Sequence, residues 1–266
     1  MLKHIVLVQV LSYLMAKETP LWFVDTHAGA GAYSLDSPFA QKKGEFRNGI
    51  ERLWGQTDLP LALTEYLEQV RAVNKDGALR HYPGSPQIAA QMLRDKDRLQ
   101  LFELHSTESE VLQKHFSNAK RRVSVQPVDG FAGLKAVLPP PSRRGLVLID
   151  PSYEDKADYA RVLATVRDAL QRFATGVYAV WYPQVQRPES KDLPGQLREL
   201  AGSDWLHVTL KTMAPARDGL GLHGSGVFVF NPPWKLDAAL RPAMPILVRF
   251  LGQDRKASYS LEGKQA

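Results

Sequence analysis

Residues Gly145–Tyr153 read GLVLIDPSY, an apolar run that stops at Asp150, Pro151, Ser152 and Tyr153. A run of this length and content reads as a strand buried on both faces. Proline has no N–H for a central ladder, so the strand ends at the aspartate and leaves its carboxylate at the sheet rim. The turn then offers a backbone carbonyl beside the carboxylate, and Tyr153 a ring to stack on. That set suits a flat base. A plain strand followed by a tight turn would use the same residues, so the surrounding chain has to decide.

Upstream, Leu2–Lys17 reads as a first helix ended by Thr19-Pro20. Lys3 followed by IVLVQVLSYLMA has the outline of a signal peptide. Gln9, Ser12 and Tyr13 interrupt it, however, and no Ala-x-Ala site follows. Leu21–Val24 reads as a buried strand running into Asp25-Thr26-His27-Ala28-Gly29-Ala30-Gly31. An acid followed by a glycine-rich loop suits nucleoside or nucleotide binding, because glycine lets backbone approach the ligand. Position 34 is serine, so the three-glycine dinucleotide fingerprint is incomplete.

The next strand, Leu99–Phe102, ends at Glu103. The gap before it far exceeds the roughly 20–30 residues of a plain doubly wound unit. It holds helical patterns at Glu45–Trp54 and Leu61–Val73 and a loop at Tyr82–Pro86, which implies a small helical subdomain inserted over about 40–84. A helix over Pro86–Arg94 returns the chain to the sheet. Beyond it, strands at Val123–Gln126, Gly145–Ile149, Gly176–Trp181 and Trp205–Leu210 alternate with helices, including Glu108–Asn118, Ala157–Phe173 and Leu193–Leu200. The last strand, Gly226–Phe230, follows a glycine-rich stretch from Gly219 and forms an antiparallel hairpin. The expected fold is α/β: one Rossmann-like, seven-stranded sheet with its last strand antiparallel, as in class I methyltransferases, carrying the helical insertion.

The chain has 266 residues, enough for one sizeable core. Its net charge of +6 favours a polyanionic partner. No cysteine is present, which excludes disulfides and thiolate metal sites and is compatible with a cytoplasm. No apolar run is long enough for a membrane helix, and nothing points to an obligate protein partner, so a monomer is expected.

Asp25, Glu103, Asp129 and Asp150 each lie at or just after the end of a successive strand. In an open parallel sheet those ends line one ligand-binding edge. An acid on the second strand suits ribose hydroxyls, and Asp129-Gly130 after the third suits the adenine of S-adenosylmethionine. Asp150–Tyr153 is close to the (Asp/Asn)-Pro-Pro-(Tyr/Phe) motif of enzymes that methylate exocyclic amines, with Ser152 in place of the second proline. Asn231-Pro232-Pro233-Trp234 spells that motif better. Too little chain follows it for a permuted fold, however, and a reversed last strand would put it on the opposite edge. Asn231 is therefore read as structural and Trp234 as packing or capping.

These stretches together resemble the RlmJ-type methyltransferases, which modify the 6-amino group of an adenine in 23S ribosomal RNA. The likeness is carried by LKH at 2–4, DTHAGAG at 25–31, YPGSP at 82–86, ELH at 103–105, DGF at 129–131, SRRGLVLIDP at 142–151, WYP at 181–183 and NPPWKL at 231–236. The resemblance implies that His4, His27, Gly29, Ser85, Glu103, Asp129 and Gly130 bind S-adenosylmethionine. It also implies that Asp150 is the catalytic acid, with Pro151 and Tyr153 completing its turn. For His4, His27 and Ser85 the implication rests on the resemblance; by position alone His4 is a helix-start histidine and Ser85 a turn residue. Members of this family carry an arm before the LKH helix that helps to close the site and touches RNA. This chain starts at Met1-Leu2-Lys3-His4, so weakened RNA engagement or a truncated start is expected. Ser152 should loosen the turn and lower the rate.

The expected chemistry is direct methyl transfer to the adenine amine. Asp150 and the Pro151 carbonyl accept its hydrogens, and Tyr153 stacks on the extruded base. RNA contacts are expected from Lys42, Lys43 and Arg47 after the glycine loop and from Arg187 and Lys191 after the fifth strand. Arg121-Arg122 and Arg143-Arg144 precede strands, so they fall on the opposite edge as solvated or fold-supporting charge. The rival functions are a DNA or protein-glutamine methyltransferase, a nicotinamide-dependent dehydrogenase, and a non-catalytic RNA-binding module.

Overall fold

The computed structural model describes residues 1–119, 121–216 and 221–264, without the side chains of Phe39 and Lys43. Helix α1 (Leu2–Met15) buries Leu2, His4, Ile5, Val6, Leu7, Val8, Val10 and Leu11. A helix apolar on nearly every side belongs inside a core. Its last carbonyls are capped by arginines: Arg94 donates to Met15 O at 2.9 Å and Lys17 O at 2.8 Å, and Arg144 donates to Leu14 O and Thr19 O. Arg122 caps the helix Ser85–Met92 in the same way, through Leu93 O at 2.6 Å and Ala90 O at 3.1 Å. Two of the four conspicuous arginines are thus fold-supporting, as expected.

Strand β1 (Trp22–Asp25) is followed by β2 (Ala32–Ser34), α2 (Pro38–Lys43), α3 (Glu51–Trp54), α4 (Leu61–Ala72), β3 (His81–Pro83) and α5 (Ser85–Met92). β2 and β3 form a separate antiparallel pair across the insertion. Ile50, Leu53, Leu63, Tyr66, Leu67 and Val70 from that insertion share one apolar cluster with α1 and the sheet. The chain then runs β4 (Arg98–Phe102), α6 (Ser106–His115), β5 (Val123–Gln126), α7 (Gly130–Val137), β6 (Gly145–Ile149), α8 (Ala157–Arg172), β7 (Val177–Gln184), α9 (Pro188–Ala201) and β8 (Trp205–Lys211). It closes with β9 (Gly224–Phe230), α10 (Leu236–Leu240), α11 (Ala243–Leu251) and β10 (Ser258–Lys264).

The main sheet has the order β10-β8-β9-β7-β6-β1-β4-β5. β5, β4, β1, β6 and β7 are parallel, and β9 lies antiparallel between β7 and β8. This is the expected class I arrangement with one correction. An eighth strand, β10, pairs antiparallel with β8 and closes that edge. β10 is mostly exposed and mixed in polarity, so it carries no buried apolar run to announce it. The β8–β9 hairpin is as expected; Gly219 and Leu220, in the stretch that joins it, lie outside the described residues. All five residues of β6 are buried, with β1 on one side and β7 on the other. A second apolar cluster, under α7, α8 and α9, packs the opposite face. Among the described residues no helix is long and apolar enough to cross a membrane.

Candidate active site

The parallel register sets Asp25 beside Leu101 of β4 and Leu148 of β6. Asp25, Glu103, Asp129 and Asp150 therefore come to one edge, at the carboxyl ends of adjacent strands. Asp25 is fully buried, accepting from Ser85 Oγ at 2.6 Å and from the His27 amide at 3.2 Å. Burial pushes its carboxyl up to about 6, against the hydrogen bond from Ser85. This acid organises the loop from beneath, and Ser85 reaches the site by way of it.

The glycine loop is held by the acid of the next strand. Glu103 accepts from the Gly29 amide and from the His105 amide, both at 2.8 Å. Gly29 has φ +59°, a conformation that favours glycine. Asp129 caps α7 by accepting from the Phe131 amide at 3.0 Å, and its other oxygen is paired with Arg161. Arg161 in turn lies over the Phe131 ring at 4.3 Å, and His27 meets that ring edge-on at 4.7 Å. Burial lowers the His27 pKa to about 4, so it is neutral at pH 7. Gly130 is required by space: a Cβ there would lie 1.9 Å from Thr26 O. The Asp-Gly after β5 is thereby locked against the turn after β1.

Asp150 follows β6 with its side chain nearly closed to solvent, paired with the ammonium of Lys3 from the first turn of α1. Burial raises the Asp150 pKa and Lys3 opposes the rise. Lys3 bonds Oδ2, and among the described residues nothing bonds Oδ1 or donates to the Pro151 carbonyl. Lys3 was not among the expected site residues, although it is the one permanent cation in the largely apolar α1. That isolation was the available signal.

Tyr153 differs from expectation. It takes φ +56°, is 3 % exposed, and donates its hydroxyl to Trp181 O at 2.7 Å. Its ring packs on Tyr159 with centroids 4.6 Å apart. A ring so enclosed offers no open face, and its contacts fix the turn instead of presenting a stacking surface. The half-buried indole of Trp181 lies 6.1 Å from Tyr153 and 5.8 Å from Lys3 Nζ, closer to the edge.

His4 is buried, with Nδ1 3.0 Å from Tyr82 Oη and Nε2 without a partner among the described residues. Of the expected RNA contacts, Arg187 lies beside the site and donates to Tyr153 O at 3.1 Å, while Lys191 is exposed on α9. Lys42 and Arg47 are exposed on the insertion, Arg47 bonded to Gln41 at 2.7 Å; the Lys43 side chain lies outside the described residues. The competing motif behaves as structure at Asn231, whose amide donates to Ala174 O and Gly176 O, both at 2.7 Å, where β7 begins. Trp234, read as packing or capping, is instead 69 % exposed.

S-adenosylmethionine, implied by the resemblance, fits these residues. The loop backbone at Gly29 and Gly130 makes a close-packed cradle, Glu103 and Asp129 keep free lone pairs, and a buried imidazole nitrogen is unsatisfied.

A family model described as "Ribosomal RNA large subunit methyltransferase D, RlmJ" matches residues 18–263. The Ribosomal RNA large subunit methyltransferase J of Escherichia coli K12 is 44% identical over 246 residues, covering 92% of this chain and 87% of that protein. Its namesake from Haemophilus influenzae Rd is 42% identical over 262 residues, covering 98% of this chain and 92% of its own length. The crystal structure of a Legionella pneumophila protein matches with a TM-score of 0.89 at 35% identity, covering 98% of this chain and 95% of that one.

Proposed function

The chain belongs to the RlmJ family of ribosomal RNA large subunit methyltransferases, and from that premise we propose that it methylates the 6-amino group of an adenine in 23S ribosomal RNA, using S-adenosylmethionine. The observation that carries the amine specificity is that, among the described residues, nothing bonds Asp150 Oδ1 or the carbonyl of the next residue, Pro151.

An adenine amine is a poor nucleophile because its lone pair is delocalised into the ring. Asp150 Oδ1 and the Pro151 carbonyl accept its two hydrogens, which turns the lone pair out of the ring plane and holds the nitrogen in place. Lys3 neutralises Asp150 while leaving Oδ1 free, so a buried carboxylate can remain ionised to receive the proton that the amine must shed. S-adenosylmethionine, when bound, supplies an electrophilic methyl group. Glu103 would hold its ribose, Asp129 and Gly130 its adenine, and His4, His27, Gly29 and Ser85 the remainder or the loop that holds it. Arg187 and Lys191 would meet RNA phosphate next to the acid, with Lys42, Lys43 and Arg47 farther along the insertion. Tyr153, itself in the left-handed conformation, would anchor the turn after Asp150 through its bond to Trp181 O. The working unit is proposed to be a monomer.

The test is transfer of labelled methyl from S-adenosylmethionine to unmodified 23S RNA, with DNA and peptide acceptors alongside and the product nucleoside identified. Labelled 6-methyladenosine, lost in Asp150→Ala with RNA binding retained, is the expected result. Label on another atom or another acceptor refutes the specificity, and transfer that survives in Asp150→Ala refutes the assigned acid.

A further inference from the structure

Buried Tyr66 and His4 and half-buried Tyr82 form a chain beside the site. Tyr66 Oη lies 2.9 Å from Tyr82 Oη, and Tyr82 Oη lies 3.0 Å from His4 Nδ1. Tyr66 and His4 are 0 % and 4 % exposed, and the Tyr82 ring stacks on the imidazole with centroids 5.6 Å apart. We infer that Tyr82, backed by Tyr66, is a positioning residue that fixes His4 as its Nε2–H tautomer, so that His4 offers the cofactor a hydrogen-bond donor and is met by a carboxylate oxygen. This rests on the reading that His4 contacts S-adenosylmethionine.

The direction of the chain follows from where each proton can go. Among the described residues Tyr66 has one hydrogen-bond partner, Tyr82. A buried hydroxyl proton without an acceptor is costly, whereas a spare lone pair is cheap. Tyr66 therefore donates to Tyr82, and Tyr82 donates onward to the remaining acceptor, His4 Nδ1. A neutral imidazole that accepts at Nδ1 carries its proton on Nε2. Reversing the chain would strand the Tyr66 proton in the core and present an acceptor at Nε2. The doubly protonated ring is disfavoured by burial first and by the nearby Lys3 second, which hold His4 well below its ordinary pKa. The one unsatisfied position is then Nε2–H. Its partner must be an acceptor, and the adjacent Lys3 ammonium favours an anionic one. A carboxylate meets both demands, and the amino-acid end of S-adenosylmethionine carries one. Because Nε2 is buried, the ligand reaches it by displacing whatever covers it.

The experiment is nitrogen NMR of the histidine-labelled full chain at neutral pH, without and with S-adenosylmethionine, on wild type, Tyr82→Phe and Tyr66→Phe. The wild type without cofactor should show His4 protonated at Nε2, and that resonance should move when cofactor binds. Tyr82→Phe should lose the preference and weaken cofactor binding about tenfold. Tyr66→Phe removes a hydroxyl from the same core but leaves Tyr82 with Nδ1 as its acceptor, so the tautomer should persist and binding weaken less. The wild-type spectrum stands even where a variant fails to fold. His4 protonated at Nδ1 in the wild type, or an unchanged tautomer in Tyr82→Phe, overturns the positioning role whatever the cofactor does. A His4 resonance unmoved by cofactor, with unchanged affinity in His4→Ala, overturns the cofactor contact instead.

Discussion

Lys3 in the first turn of α1 and Asp150 at the end of β6 stand 147 positions apart in sequence and meet as an ion pair, side chains 25% and 9% exposed. Removing one member of such a pair leaves a charge with little solvent to stabilise it. In Lys3→Met the Asp150 carboxyl should rise further, because the ammonium is what opposes its burial. The ionised form is then reached only at higher pH. We expect kcat at pH 7 to fall about ten- to hundredfold and the acid limb of the pH–rate profile to move up. An acid limb in the same place would show that Lys3 does not govern Asp150.

Gly130→Ala should be destabilising, since its Cβ would lie 1.9 Å from the Thr26 carbonyl. Backbone has to shift to make room, at about 1–3 kcal/mol. That shift moves Asp129 too, so cofactor affinity should fall along with the urea midpoint. Gly195→Ala, where an added Cβ meets nothing within 4 Å, is the matched control and should leave affinity alone.

Asp25 gives a pH signature. Its folded pKa is raised to about 6 from an unfolded value near 3.8. Between those values the folded state holds a proton that the unfolded chain has lost. Its contribution to stability therefore falls as pH rises from about 4 to 6, and the full penalty remains above that. Asp25→Asn removes the penalty while keeping the shape. It should match wild type near pH 4 and exceed it at pH 7 by about 3 kcal/mol. Comparing the two proteins cancels the opposing slope from His27, whose pKa is lowered. Urea titrations at several pH values check the difference, and parallel stability curves would refute it.

Asn231→Ala separates the two proline motifs. The substitution removes both amide donations, to Ala174 O and Gly176 O, and puts alanine at φ +49°. A loss of about 1–3 kcal/mol in stability is expected. Methyl transfer per folded molecule should be unchanged. A fall in kcat with normal stability would move the chemistry to Asn231.

Lys191→Ala should lower RNA affinity across sequences and reduce the slope of log affinity against log salt by about 1. Arg121→Ala, ahead of β5 on the far edge, should leave that slope unchanged. Binding titrations at several salt concentrations decide between the two edges.

Much of the sheet was legible because β1, β4, β6 and β7 are apolar enough to be buried on both faces, and the acids that end them mark the rim. The site was less legible wherever it depends on pairing across the fold. Nothing local to residues 2–4 says that Lys3 reaches Asp150, or that a helix-start histidine is bonded to a tyrosine of the insertion. Tyr153 was misjudged because a motif states which residues are present and not which way a left-handed turn points them. Trp234 was misjudged for the matching reason, that a large aromatic is assumed to be inside. β10 left no mark, because Tyr259 and Leu261 alternate with polar residues at a mostly exposed edge.

The burial of α1 has a kinetic consequence. A first helical turn ordinarily frays, opening at almost no free-energy cost. Here that turn carries Lys3 and His4; Leu2 and Ile5 lie in the same cluster as the insertion and the sheet, and His4 is buried beside them. The hydrogen-bonded amides of His4 and Ile5 should therefore exchange with solvent deuterium as slowly as those of β6, through opening of the whole domain. Loosening the insertion at a distance, for instance at Leu63 or Val70, should raise exchange at His4 and Ile5 before it reaches β5.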